Sequence, residues 1–338
     1  VSLRRLTSEC VDLACRAGEI IRLVSEQATV VGSEEKLGLV DKGVASGEAF
    51  DPQTVADRRA QRCIVENLRS LYGKSLRIVG EEGDLGIGGD GSGEDGATEI
   101  STPSGHLLDD TWPAEQDMLV PLSELCVWVD PLDGTREFTQ GRYEYVSTLV
   151  GISRTGRAIA GVISEPYARC ENGDGPPSGR VLWGCCEAPS EGAAVVGVHV
   201  LGEDTWARPA RPPERCLAVI SRSRSGGTVA EALVRLQEPG CAVALCGDGP
   251  LVTGVLQAGG AGHKVARVVD GTADLWLFPP SGTSRWDTCA ADAMLEAAGG
   301  ALRDRAGRRL DYDPAADVVN REGVLAGADP EVVRCAAE

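Results

Sequence analysis

Apolar positions recur at helical spacing over 6–26, where Leu6, Cys10, Leu13, Ala17, Ile20, Ile21 and Val24 would share one face, so the chain opens on an amphipathic helix. The stretch 32–53, rich in glycine, serine and charge, reads as a loop or irregular hairpin. Helical periodicity returns over 55–71, and Thr54 stands where an N-cap side chain would satisfy a free amide. A short apolar strand at 76–79 runs into Gly80-Glu81-Glu82-Gly83. A continuous apolar run, LCVWV at 125–129, reads as a buried strand and ends in Asp130-Pro131-Leu132-Asp133-Gly134-Thr135. Further strands are predicted at 145–152, 158–163 and 181–184. The intervening stretch 83–120 is irregular, acidic and glycine-rich, and is predicted to be a surface excursion. Its formal G-x-G-x-x-G at Gly86, Gly88 and Gly91 lacks the strand before and the helix after that a dinucleotide site needs.

Three prolines and mixed charge at 202–215 mark a boundary between an N-terminal α+β unit, 1–205, and a C-terminal α/β unit, 206–338. Beyond it strands and helices alternate. A strand is predicted at 217–220, a helix at 228–236, a glycine-rich turn opening a helix at 260–269, a strand at 273–278 and a helix at 288–298 stopped by Gly299-Gly300. The predicted class is α/β, with an α+β N-terminal half. A length of 338 residues suits two such units.

Charge narrows the partners. Against 33 Lys and Arg stand 51 Asp and Glu, a formal net charge of −18 that repels nucleic-acid phosphates and anionic membranes. No apolar run approaches the roughly 20 residues that span a bilayer. The expected partner is therefore a small molecule, and an anionic one would need a local cationic device. Twelve cysteines without C-x-x-C spacing read as reduced, mostly buried thiols of a cytoplasmic protein. The first residue is Val1 rather than Met, so a removed organelle-targeting segment stays open as an alternative. Three scattered histidines argue against a His-rich zinc site.

The candidate chemistry lies in carboxylates at the ends of strands. Asp130 and Asp133 are delivered by one strand; Pro131 fixes the turn between them and Gly134 permits close approach or a positive φ. Thr135 can open a helix whose free amides suit a phosphate. Glu81-Glu82 ends a second strand, and Asp287 stands just before a predicted helix. Two carboxylates ~4 Å apart repel by about 4 kcal/mol at an effective dielectric of 20, so convergence of these acids would demand cations or protons. Oxygen donors without nearby Cys or His favour Mg²⁺ over zinc. Taken singly, each feature has a plainer reading: a capped turn, an exposed pair, a helix cap. Their joint occurrence at strand and helix ends lifts the set.

In order along the chain, G-E-E (80–82), D-P-L-D-G-T (130–135) and W-D (286–287) resemble the lithium-sensitive, magnesium-dependent phosphomonoesterase superfamily that includes inositol monophosphatase and fructose-1,6-bisphosphatase. Within it, T-V-A-D (54–57), D-G-T-R-E-F-T-Q-G (133–141), A-I-A-G-V-I-x-x-P-Y (158–167), S-R-S (221–223), G-G-A-G-H-K (259–264) and S-R-W-D-T-C-A (284–290) look like the 3′(2′),5′-bisphosphate nucleotidase branch. The resemblance implies a layered αβαβα sandwich of the sugar-phosphatase type, with the site between two domains. It implies hydrolysis of adenosine 3′,5′-bisphosphate (PAP) to AMP, with PAPS and some inositol bisphosphates as further substrates and an inositol phosphate phosphatase as the alternative. Two or three Mg²⁺ per site, inhibition by Li⁺ and a monomer or homodimer follow from the same likeness. So do residue roles. Glu81, Asp130, Asp133, Asp287 and the Leu132 carbonyl match metal ligands, and Thr135, with Glu81 or Asp57, matches the arrangement that orients and deprotonates water. Gly134 and Thr135 match the phosphate contact; Ser221, Gly260 and Lys264 match substrate contacts. Arg224 stands where the animal enzymes have His, and can still bind a phosphate. Lys264, Arg222, Arg224 and Arg285 are expected to face the site. A non-catalytic metal or nucleotide sensor would require a broken acid set, and none of the expected acids is missing.

Overall fold

The apolar stripe at the start of the chain forms α1 (Leu3–Val31), and the second stripe forms α2 (Val55–Tyr72). Thr54 caps α2 through a reciprocal box: its side chain accepts from the Ala56 amide, and the Asp57 carboxylate accepts from the Thr54 amide at 2.8 Å. The computed structural model describes residues 1–31, 37–42, 52–83, 101–168, 179–188, 190, 195–203, 207–209, 216–240 and 249–337. The hairpin expected at 32–53 is seen in its two ends, β1 (Val40–Asp41) paired antiparallel with β2 (Pro52–Gln53).

Two sheets form the body. The first has six strands in chain order: β3 (Arg77–Gly80), β4 (Leu125–Asp133), β5 (Ser147–Arg154), β6 (Arg157–Glu165), β7 (Arg180–Cys185) and β8 (Gly197–Val200). β3 runs parallel to β4, and every other neighbouring pair is antiparallel. β4 does not stop at 129 but carries on through Asp133, with all nine residues buried. The second sheet comprises β9 (Leu217–Ser221), β10 (Gly254–Ala258), β11 (Leu275–Phe278), β12 (Ala301–Arg303) and β13 (Val324–Gly327), in the order β10-β9-β11-β13-β12. A short helix α3 (Thr135–Thr139) follows β4; α4 (Thr228–Gln237), α5 (Ala261–Val269), α6 (Arg285–Ala297) and α7 (Pro330–Ala337) complete the described helices. Helices α1 and α2 cover the first sheet, α5 and α6 fill the space between sheets, and α4 and α7 cover the second. These are the five αβαβα layers that the resemblance implies.

A row of glycines sets the middle layer. Gly151, Gly161 and Gly184 are register partners on β5, β6 and β7. A Cβ at Gly161 would meet Ala290 O at 2.4 Å, and one at Gly151 would meet Cys289 Sγ at 2.7 Å. The missing side chains leave a trench into which α6 sinks, and its N-terminus thereby arrives over the end of β4.

Two expectations are corrected. Helix α6 begins at Arg285 rather than 288, so Asp287 is inside its first turn, not before it. The described part of the acidic stretch, 101–120, is not a surface excursion: Leu108, Trp112 and Val120 are buried, and Trp112 stacks on Trp183 with ring centres 5.9 Å apart. Strands β8, β10, β12 and β13 and helix α7 are not among the predicted elements. The glycine motif at Gly86, Gly88 and Gly91 lies outside the described residues, as does much of the boundary at 202–215. Among the described residues, no helix is long and apolar enough to cross a membrane.

Candidate active site

Asp130 and Asp133 would point to opposite faces of a regular strand, since they are an odd number of positions apart, with Pro131 and Leu132 between them. The ladder with β5 shifts register between them, and this bulge turns both carboxylates to the same side. The next residue, Gly134, takes the left-handed conformation (φ 85°) and opens α3. Asp287 reaches the pair from α6, held at the third helical position by a second capping box, with the Ser284 amide donating to its Oδ2 at 2.5 Å. Ligand oxygens of Asp130, Asp133 and Asp287 lie within 4.8 Å of one another. Glu81, the residue after β3, stands close enough to Asp130 that its charge, like those of Asp133 and Asp287, bears on that carboxyl. All four acids singled out in the sequence thus converge.

Their protonation reflects the crowding. Burial, then the charges of Glu81, Asp133 and Asp287, hold the Asp130 carboxyl far above the usual carboxylate range. Burial and the Asp133 charge push Asp287 up to about 7. Burial also raises Glu81, against the pull of Lys42. An all-oxygen set, buried at Asp130 and Asp133 and half-buried at Glu81 and Asp287, that the fold leaves short of positive charge suits a hard divalent cation such as Mg²⁺. Lys42, on the turn after β1, lies 3.0 Å from Glu81 Oε1 and 3.2 Å from Glu82 Oε1, and it escaped sequence reasoning. No local pattern marks it, because its partners are 39 and 40 residues away.

Beside the cluster, the Thr135 hydroxyl lies 2.9 Å from Asp57 Oδ1 and 2.9 Å from the Leu132 carbonyl. Of the two acids open as its partner, the bonded one is Asp57, while Glu81 accepts from Lys42. Asp57 is wholly buried, and burial followed by the Glu82 charge lifts it to about 7. Asp57 and Asp287 therefore share a plan: each is the third residue of its helix, uses one oxygen on a capping box and presents the carboxyl to the site.

A pocket of about 210 Å³ opens next to these groups, lined by Asp133, Thr135, Ser221, Arg224, Lys264 and Asp287 among others, with Gly134 and Gly260 also in its wall. Lys264 is buried and directs its ammonium at the Gly260 carbonyl and the Trp276 ring, 5.6 Å to the centroid. Burial lowers its pKa, opposed by Asp133 and Glu137. Arg224 is exposed and donates to the Gly282 carbonyl at 3.0 Å; Ser221 lies 3.3 Å from Ser223. The other two expected basic residues do not line this pocket. Arg222 lies over the Tyr145 ring, and Arg285 bonds to Asn320 and lies over Tyr312. Nor are the first amides of α5 free for a phosphate, because Ala261 and Gly262 donate to Asp133.

The chain matches the model of the inositol monophosphatase family over residues 2–335. It is 34% identical over 326 residues to 3′(2′),5′-bisphosphate nucleotidase 1 of Rattus norvegicus, covering 96% of this chain and 91% of that protein. The enzyme of the same name from Dictyostelium discoideum is 31% identical over 340 residues, covering 96% and 93%. Among solved structures, the extragenic suppressor protein suhB of Bartonella henselae superimposes with a TM-score of 0.62 at 19% identity, covering 98% and 96% of the two chains. With its acids gathered at strand and helix ends and residues 2–335 matched, this chain belongs to the inositol monophosphatase family and is a phosphatase.

Proposed function

We propose that the protein removes the 3′-phosphate of PAP to give AMP and phosphate, and also acts on PAPS, with Glu81, Asp130, Asp133, Asp287 and the Leu132 carbonyl holding magnesium. The observation that carries this reading is the hydrogen-bonded Thr135–Asp57 pair set against the acid cluster. Bound magnesium would supply the charge that acidifies a water and stabilises the leaving oxygen. The chain's own residues do the rest. Thr135 donates its proton to Asp57 and so turns a lone pair outward to accept from a water. Asp57, with a pKa of about 7, is suited to take up a proton near neutral pH. A general base supplies roughly 10²–10⁴-fold, about 3–5 kcal/mol, while the slowest phosphate monoesters need well over about 20 kcal/mol. Orientation and charge at the acid cluster must therefore supply the larger share.

Lys264 and Arg224 would offset the net charge of −18 where the anionic substrate enters. In this reading the site lies at the seam between the 1–205 and 206–338 units, since β3 and β4 supply three acids and α6 the fourth. The preference for a nucleotide over an inositol phosphate is supported by the two nucleotidase relatives. Phosphate release from PAP, PAPS, inositol 1-phosphate, inositol 1,4-bisphosphate and fructose 1,6-bisphosphate in Mg²⁺ tests it. PAP should have the highest kcat/KM; an inositol or fructose phosphate in first place would refute the nucleotidase reading.

A further inference from the structure

Asp133 does more than face the acid cluster. Its Oδ1 accepts from the Ala261 amide at 2.7 Å, and its Oδ2 accepts from the Gly262 amide at 2.8 Å and from the Ser147 hydroxyl at 2.7 Å. The two amides are among the free donors of the first turn of α5, where the helix dipole favours an anion. Ser147 is fully buried on β5, directly opposite Asp133 in the ladder. So close an approach explains the spacing of G-G-A-G-H-K. A Cβ at position 260 would lie 2.4 Å from Tyr145 O and 2.8 Å from Asp133 Oδ2; one at position 262 would lie 2.4 Å from Ser147 Oγ. Glycine at both positions lets α5 close on the carboxylate. The same helix carries Lys264, one turn on, into the substrate pocket.

We infer that Ser147 is a positioning residue, which together with the first turn of α5 locks the Asp133 carboxylate so that holding a divalent cation and placing Lys264 are one linked event. The inference rests on the reading that Asp133 ligates magnesium. The lock occupies both lone pairs of Oδ2 and one of Oδ1, so it fixes the plane of the group and leaves the remaining Oδ1 lone pair for a cation, which is what hydrogen bonds to a ligating carboxylate do. Linkage is reciprocal: whatever loosens α5 from Asp133 must weaken the cation, and the reverse.

The test titrates Mg²⁺ calorimetrically into wild type, Ser147→Ala and Ser147→Thr, and follows amide hydrogen exchange across 261–269. Ser147→Ala should bind Mg²⁺ about tenfold more weakly and exchange the first-turn amides of α5 faster, and Ser147→Thr, which keeps the hydroxyl, should restore both. Wild-type Mg²⁺ affinity in Ser147→Ala, or faster exchange with no loss of affinity, would overturn the inference. Gly262→Ala attacks the contact from the other side and leaves both partner side chains intact. It should weaken Mg²⁺ comparably, and an unchanged affinity there also contradicts the linkage, whatever becomes of Ser147→Ala. Neither readout involves a phosphate ester. A failed PAP assay would thus remove the nucleotidase reading alone, and an active PAP phosphatase with intact Mg²⁺ binding in these variants would remove the lock alone.

Discussion

Among the described residues, the buried carboxylate of Glu165 and the acid cluster around Asp130 are solved in opposite ways. Glu165, at the end of β6, accepts from Arg180 at 2.9 Å and from Arg267 at 3.2 Å, and His263 lies 3.1 Å away. Those hydrogen bonds and charges outweigh the cost of burial and hold Glu165 down to about 2. In the cluster of Glu81, Asp130, Asp133 and Asp287, where Asp130 and Asp133 are buried and Glu81 and Asp287 half-buried, burial and mutual repulsion win instead, and Asp130 and Asp287 are raised. Burial is common to both; compensation is not. The chain supplies its own cations around one carboxylate and leaves the other group short, which is the contrast expected of a scaffold joint in the first place and, in the proposed function, of a cation site in the second. Lys42 offsets only part of the deficit, at Glu81 and Glu82.

The sharpest way to break this contrast is to exchange one carboxylate in each cluster. Asp130→Asn should lower phosphatase kcat by about a thousandfold or more while circular dichroism stays native, because charge stabilisation by bound metal is worth several kcal/mol. A variant that turns over normally would strip Asp130 of its role. Asp57→Asn tests the neighbouring proton acceptor: kcat should fall by about 10²–10⁴-fold with Mg²⁺ affinity within a factor of about three. Equal loss of Mg²⁺ affinity would move Asp57 from proton transfer to metal binding.

Glu165→Gln should do the reverse of Asp130→Asn. It leaves Arg180 and Arg267 facing a neutral amide, and removing one partner of a buried pair costs about 3–5 kcal/mol. Urea unfolding should show that loss while kcat of the folded enzyme changes less than about threefold; a stable but inactive variant would erase the distinction between the clusters.

The smallest effect is pH dependence, and the clusters should give opposite slopes. Asp57 and Asp287 have folded pKa values of about 7, above the 3.8 of a free carboxyl, so the native state holds protons that the unfolded chain has lost. Metal-free stability should therefore fall as pH rises from about 4 to 7, with Asp292, also raised to about 7, adding to the trend. Glu165, lowered from 4.5 to about 2, stabilises above 4.5 and loses that contribution as pH falls through 2. Mg²⁺ takes the place of the protons, so the rise in Tm that it produces should be larger at pH 8 than at pH 5. An equal rise at both values would mean that the cation binds elsewhere.

Much of this was legible before any coordinates. The stripes of α1 and α2, the cap at Thr54 and the apolar body of β4 follow from local periodicity, which the fold obeys. The four acids were legible as ends of strands and the start of a helix. What stayed hidden depends on contacts between distant residues. The bulge that turns Asp130 and Asp133 to one side is set by pairing with β5, and the trench at Gly151, Gly161 and Gly184 exists only once three strands are aligned. Lys42 and Ser147 sit in stretches whose local pattern says nothing of their partners. One missed feature was local: Ser284-Arg285-Trp286-Asp287 is a capping box, and it would have started α6 three residues earlier.

The central claim, that the uncompensated acids and not merely buried acids form the cation site, is tested most directly by titrating Mg²⁺ calorimetrically into wild type, Asp130→Asn and Glu165→Gln. The account predicts binding by wild type, at least about tenfold weaker binding by Asp130→Asn and unchanged binding by Glu165→Gln. No binding by wild type, or equal losses in the two variants, would contradict it.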